Sequence, residues 1–102
     1  MRRIELKTIT VAEPIEGMPS VIDYREQFIT VLRLPLQGMT IDQMELPLRI
    51  LPKLRASNGT VALEEEEHKY LLDRLNAMQF RVVMPELVEM RNAVKDARSV
   101  EI

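Results

Sequence analysis

The segment from Ile41 to Ala56 constrains the fold more than any other part of this chain. Its apolar residues form two adjacent stripes at helical spacing, which leave only Asp42, Glu45, Arg49 and Lys53 as a narrow polar edge. The stripes contain Ile41, Met44, Leu48 and Leu51 on one side and Leu46, Ile50 and Leu54 on the other. Such a helix has more apolar surface than one neighbouring helix covers, so we predict that these seven residues form a protein interface.

The length of the chain predicts one domain. A chain of 102 residues is long enough for one hydrophobic core and too short for two. Apolar residues make up 46% and charged residues 29% of the sequence, which is the range of globular proteins. We therefore predict a single α+β domain over residues 1–102, with frayed residues at 1–2 and 99–102.

Composition excludes several classes of function. The chain has no cysteine, so it has no disulfide, no thiolate nucleophile and no cysteine zinc site, which fits a reducing cytoplasm. The formal net charge is −2, so the chain lacks the excess of basic residues on which most nucleic-acid binding depends. No apolar run is long enough to span a membrane, and the first residues lack the apolar core of a signal peptide. We expect no membrane association, and the net charge disfavours nucleic-acid binding but leaves room for a local basic patch.

Hydrophobic periodicity and capping residues predict about four helices and a short sheet. The predicted strands are Arg3–Val11 and Thr60–Leu63, and the predicted helices are Ser20 to about Arg33, Ile41 to Ala56 after a Thr40/Gln43 capping box, Glu64 to about Gln79 and Pro85 to about Arg98. We expect the two strands to pair. Phe80–Val83 is either a connector or a third strand.

Two features leave the local structure open. In the first strand the apolar positions change from Ile4 and Leu6 to Ile9 and Val11, so either both faces are covered or a bulge lies near Thr8. In the second helix two prolines, Pro47 and Pro52, each lack a backbone donor. They predict a kink or two short helices.

The single histidine is the only residue that suggests a metal. Glu65 and His68 have the spacing found in carboxylate-bridged metal sites, but such a site needs a second pair, and the chain has no other histidine. We therefore expect the acidic residues to stabilise the start of a helix and His68 to pack beside it. Serine and threonine are not grouped with a base, and the glycines are not clustered, so we predict no catalytic residue, no cofactor and no metal.

A DNA-binding function is the alternative from a different class. Arg49, Lys53 and Arg55, late in the second helix, would bind phosphates, and the order of elements resembles a small winged-helix-like regulator. Two observations count against it. Glu45 stands four residues before Arg49, where it can pair with it, and two prolines disfavour a straight recognition helix.

Short stretches from Tyr24 to about Val94 carry a resemblance to a known group of proteins. They are Tyr24-Arg25, Gly38–Met44, Arg49–Leu51, Val61–Leu63 running into acidic residues, Tyr70-Leu71, Met78 and Pro85. With them the chain resembles small uncharacterised proteins encoded in the virion-structure gene clusters of tailed phages and prophages. The resemblance implies a tail or head-tail assembly component, or a helper of assembly, in the cytoplasm of a bacterial host cell or associated with the virion. Its partner would be a phage structural or assembly protein, or a second copy of the chain.

Overall fold

The α+β class is confirmed. In the computed structural model, which describes residues 1–35 and 37–99, the chain forms four α-helices, one 3-10 helix and five short strands. The strands are β1 Arg2–Glu5, β2 Thr8–Thr10, β3 Val21–Asp23, β4 Thr60–Leu63 and β5 Arg98–Ser99. The helices are α1 Tyr24–Arg33, the 3-10 helix Asp42–Met44, α2 Glu45–Ala56, α3 Glu65–Ala77 and α4 Pro85–Lys95. Within these described ranges, no helix has the length and hydropathy needed to cross a bilayer.

The main sheet has the strand order β4-β1-β5, and both pairings are antiparallel. The predicted pairing of the first strand with Thr60–Leu63 is confirmed, with Ile4 opposite Val61 and both side chains buried. The third strand is β5, which the sequence did not predict. Phe80–Val83 is a connector without strand pairing.

The predicted first strand is wrong in one respect, because it is two strands in two different sheets. β1 ends at Glu5, and β2 pairs with β3 in a separate antiparallel hairpin. Between them, the Leu6 backbone N–H donates to the Gly59 carbonyl at 2.8 Å. The change of the apolar positions from Ile4 and Leu6 to Ile9 and Val11 therefore marks the place where the chain leaves one sheet and enters the other.

Helix α1 begins later than predicted. Its N-cap is Asp23 and not Ser20. The Asp23 carboxylate accepts hydrogen bonds from the backbone N–H groups of Arg25 and Glu26 at 3.0 and 3.5 Å. The reason is tertiary: Val21–Asp23 is held extended by pairing with β2. The helix then ends at Arg33, as predicted.

The Thr40/Gln43 capping box is confirmed. The Thr40 N–H donates to Gln43 Oε1 at 2.9 Å, and the Gln43 N–H donates to Thr40 Oγ1 at 3.3 Å. The helical segment then begins as the 3-10 helix and continues directly as α2. Pro47 lies in the first turn of α2. Backbone N–H groups in the first turn have no acceptor within the helix, so the proline removes no intrahelical hydrogen bond there. Helix α2 also runs through Pro52.

The two later helices end earlier than predicted. Helix α3 ends at Ala77, and α4 ends at Lys95 because Arg98 and Ser99 are extended against β1. The expectation of frayed ends is also wrong for two residues, since Arg2 and Ser99 face each other in the sheet. The expected fraying at residues 100–102 lies outside the described residues.

The sharp turn before β4 depends on Gly59, whose φ is +87°. Replacing Gly59 by Ala should lower the free energy of unfolding by about 1 kcal/mol, because a side chain strains this backbone conformation. Gly38→Ala is the matched control: neither glycine has an atom within 4 Å of its added Cβ, and Gly38 has no positive φ. Urea unfolding of both variants measures the difference, and equal stabilities would contradict the expectation.

Candidate protein-interaction surface

The seven predicted interface residues separate into three groups. Ile50, Leu51 and Leu54 are buried in the core, where α2 packs on α1, α3 and β4. The prediction that these three lie on the surface is therefore wrong. The physical reason is that three elements cover the inner side of α2, whereas the prediction allowed for one neighbouring helix.

The outward group consists of Ile41, Met44 and Leu48. Ile41 is 83% exposed and Leu48 is 61% exposed, so most of each of these two side chains is open to solvent. Leu46 forms the third group, because it is half-buried and lines a separate cleft toward α3 with Tyr70 and Arg74. Only part of the predicted apolar excess thus reaches the surface.

The outward side of α2 forms one wall of an apolar groove, which we call the α1–α2 groove. Its volume is about 180 Å³, and its other wall is the C-terminal end of α1. Its lining residues are Leu32, Arg33, Pro35, Met39, Met44, Pro47, Leu48 and Leu51. Seven of these eight residues are apolar, so the groove suits an apolar side chain of a partner.

Sequence reasoning missed the α1 wall of this groove. This wall is formed by the buried Leu32 and by Pro35, which follows the helix. Leu34, the C-cap of α1, is 63% exposed beside them. The signal that could have found this wall is the apolar character of the connection after α1, where polar turn residues are usual.

The predicted phosphate-binding residues lie beside a group of carboxylates at the start of α3. Lys53 Nζ is 2.6 and 2.9 Å from the two carboxylate oxygens of Glu67. The guanidinium of Arg49 is 3.5 Å from Glu66 and 3.7 Å from Glu67. Arg55 is exposed and forms no ion pair with a described residue. Two of the three cations therefore join α2 to α3 within the protein.

Glu67 is the centre of this network. Its side chain is 1% exposed, and its Oε1 also accepts the backbone N–H of Glu64 at 2.9 Å, which caps α3. Burial alone would raise the pKa of Glu67, but the hydrogen bond from Lys53, the Glu64 N–H and the nearby charges of Lys53 and Arg49 outweigh it and lower the pKa. Glu67 is therefore a buried carboxylate with a structural role.

Glu65 and His68 have different partners. Glu65 accepts a hydrogen bond from Arg2 Nε at 2.9 Å. The buried His68 ring contacts α4, where Nε2 is 2.6 Å from the Val94 carbonyl oxygen. A carbonyl only accepts, so Nε2 carries the proton. No group of three or more metal-ligating side chains that could hold an ion occurs in residues 1–35 and 37–99.

A second polar cleft lies beside Tyr24. The Tyr24 ring is buried, its hydroxyl has no hydrogen-bond partner among the described residues, and burial raises its pKa, as do the charges of Glu89 and Glu5. Lys7 lies over the ring, 5.9 Å from its centroid, and its Nζ is 3.9 Å from Glu89. The charged residues of this cleft include both signs in equal number, so it favours no particular ligand charge.

Comparisons of the chain with protein-family models, with curated proteins and with solved structures find no match. Its function therefore has to be inferred from its own residues. Among those that the structure describes, the α1–α2 groove combines an apolar lining with exposed apolar neighbours. That combination is typical of a surface that a partner covers.

Proposed function

We propose that this protein is a non-enzymatic interaction module that binds another polypeptide through the α1–α2 groove. The single observation that carries the proposal is the position of Leu48, which lines the groove and is 61% exposed. A leucine in this position leaves apolar surface in water, and covering that surface is favourable. Ile41, just before the 3-10 helix, and Leu34, at the end of α1, are further exposed apolar residues of the two segments that form the groove.

The resemblance to virion-structure gene products of tailed phages supports a specific biological setting. In that setting the module is a tail or head-tail assembly component, or a helper of assembly, and its partner is a phage structural or assembly protein. It acts in the cytoplasm of the bacterial host cell or in the virion. A small domain that binds a partner through a groove suits this role, because virion assembly depends on contacts between proteins and needs no chemical reaction.

The DNA-binding alternative has less support. A phosphate-binding patch needs cations that are available to the phosphates. Arg49 and Lys53 are close to three carboxylates of the same chain, and a phosphate would have to compete with them. Of the three candidate residues, only Arg55 remains without an ion pair to a described residue.

The proposal predicts that Leu48→Asp abolishes partner binding while the protein stays folded. Burying a charged side chain of the groove wall against an apolar side chain of the partner is unfavourable. Leu48 itself is mostly exposed, so the core does not depend on it. Val88→Asp is the matched control, because Val88 is 52% exposed on α4, away from the groove. The measurement is calorimetric binding of the purified products of the neighbouring genes.

We expect at least one of these gene products to bind the wild type and Val88→Asp and to lose detectable binding to Leu48→Asp. Circular dichroism and thermal unfolding show that both variants remain folded. Binding that survives Leu48→Asp would refute the groove as the binding site. Failure of every neighbouring capsid or tail protein to bind the wild type would refute the assembly setting.

A further inference from the structure

The hairpin of β2 and β3 has an open edge on each side. Among the described residues its two strands pair only with each other, so each strand has one side without a neighbouring strand. A hairpin of two strands is only marginally stable in water, and further strands add to its stability. The open side of β2 therefore offers a place where another strand can pair.

The free backbone groups on this edge belong to Thr8 and Thr10. In an antiparallel pair, every second residue directs its N–H and C=O groups toward the partner strand, and the residues between them direct theirs away. The Val11 N–H donates to the Ser20 carbonyl oxygen at 2.8 Å, which places Val11, and hence Ile9, among the residues that face β3. Thr8 and Thr10 therefore direct their backbone groups away from β3, and no hydrogen bond from a described residue reaches these groups.

The side chains of β2 do not protect this edge. Natural edge strands avoid pairing with other chains through charged residues, prolines or bulges. Thr8, Ile9 and Thr10 include no charge and no proline, and all three are β-branched, which favours strand pairing. Both threonines are exposed, and Ile9 is half-buried. The opposite edge of the hairpin differs, because Asp23 carries a charge there and caps α1.

The sequence of β2 is complementary to itself in the antiparallel direction. A twofold axis at Ile9 places Ile9 beside Ile9 of a second copy and places Thr8 opposite Thr10 of that copy. The outward backbone groups of the two threonines then meet, so each N–H gains an acceptor. Thr–Thr pairs across antiparallel strands are favourable, and the two isoleucines bury apolar surface. Lys7 faces Val11 of the second copy, so no two like charges lie opposite each other.

From these free backbone groups and this self-complementary register, we infer that β2 pairs with β2 of a second copy of this chain. The result is a twofold dimer in which the two hairpins form one antiparallel sheet with the strand order β3-β2-β2-β3. The inference is independent of the proposed function, because no residue of β2 lines the α1–α2 groove. The groove residues of each copy take no part in the strand pairing.

Two double variants test the register of this pairing. In Thr8→Lys/Thr10→Lys the dimer places a lysine opposite a lysine twice, and in Thr8→Lys/Thr10→Glu it places a lysine opposite a glutamate twice. Sedimentation equilibrium from micromolar to millimolar protein measures the dimer dissociation constant. We expect the first variant to weaken the dimer by about tenfold or more and the second to associate at least as tightly as the wild type.

The two variants are matched within the monomer. Both carry the same change at residue 8, which faces Asp23 of its own chain, and they differ only at the exposed residue 10. Thermal unfolding at low protein concentration shows that both stay folded. Val21→Lys is a further control, because Val21 is 44% exposed on β3, and this change should leave the dissociation constant unchanged.

Amide hydrogen exchange identifies the paired edge directly. As the concentration of the wild type rises, exchange at the Thr8 and Thr10 N–H groups should slow by about tenfold or more, because these groups gain acceptors in the dimer. The Ile9 N–H faces β3 and should be protected at every concentration. Dimers with unprotected Thr8 and Thr10 N–H groups would form through another surface and would overturn the inference.

Two further results would overturn it. One is a wild type that stays monomeric at millimolar concentration. The other is an equal dissociation constant for the two double variants, which would contradict the antiparallel register. Neither result concerns the α1–α2 groove, where Leu48→Asp tests the proposed function separately.

Discussion

Replacing Leu54 by Ala should lower the free energy of unfolding by about 2–5 kcal/mol, because the change leaves a cavity among packed core residues. Leu54 is fully buried on the inner side of α2, where it belongs to the main hydrophobic core. Urea unfolding followed by circular dichroism measures the change. Parallel losses of helix and of tertiary signal would show that the whole domain unfolds together.

Leu48→Ala is the matched control for Leu54→Ala. Both substitutions remove the same atoms from the same helix, and only the surroundings of the side chain differ. With Leu48 61% exposed, its truncation should change the stability of the monomer by about 0.5 kcal/mol or less. The experiment is done at low protein concentration, so that association does not contribute. Equal losses for the two variants would contradict the division of α2 into a core side and a groove side.

Lys53→Met should lower the free energy of unfolding by about 2–3 kcal/mol, because it leaves the buried carboxylate of Glu67 without its closest cation. This loss is smaller than the about 3–5 kcal/mol typical of a broken buried pair, because Lys53 is 37% exposed and Arg49 remains 3.7 Å from Glu67. Arg55→Met removes a cation of the same helix that forms no ion pair with a described residue. It should change stability by about 0.5 kcal/mol or less.

The effect of Lys53→Met should depend on pH. The pKa of Glu67 in the folded protein is lowered from its ordinary value of 4.5, so its carboxylate contributes stability above that value and loses it as the pH falls through the folded pKa. The difference between wild type and Lys53→Met should therefore be largest near neutral pH and shrink in acid. A difference that stays constant from pH 7 to pH 3 would contradict this role of Glu67.

The same pair of variants distinguishes the interaction module from the DNA-binding alternative. If the cations of α2 bind phosphates, Lys53→Met and Arg55→Met should both weaken salt-sensitive binding to duplex DNA. If Lys53 holds α2 to α3, the two variants differ in stability and the wild type shows no titration with duplex DNA at low salt. Fluorescence anisotropy with a labelled duplex makes the comparison.

Local signals in the sequence correctly predicted several elements. The Thr40/Gln43 capping box, the acidic start of α3 and Pro85 as the first residue of α4 all depend on residues within one turn of a helix. The pairing of the first strand with Thr60–Leu63 was also predicted, and the structure adds its antiparallel direction. Two of the errors concern Val21 and Arg98, which were predicted at helix ends and lie in strands because another strand pairs with each segment.

The class of the fold and the apolar character of α2 follow from periodicity and capping, which act between residues that are close in the chain. Which of the apolar residues of α2 are exposed depends instead on the packing of elements that are distant in the chain. Burial depends on what packs around a side chain: α1, α3 and β4 cover Leu54, while Leu48 stays open beside the end of α1. The same reason explains why Lys53, a surface cation in the sequence, is the partner of a buried carboxylate.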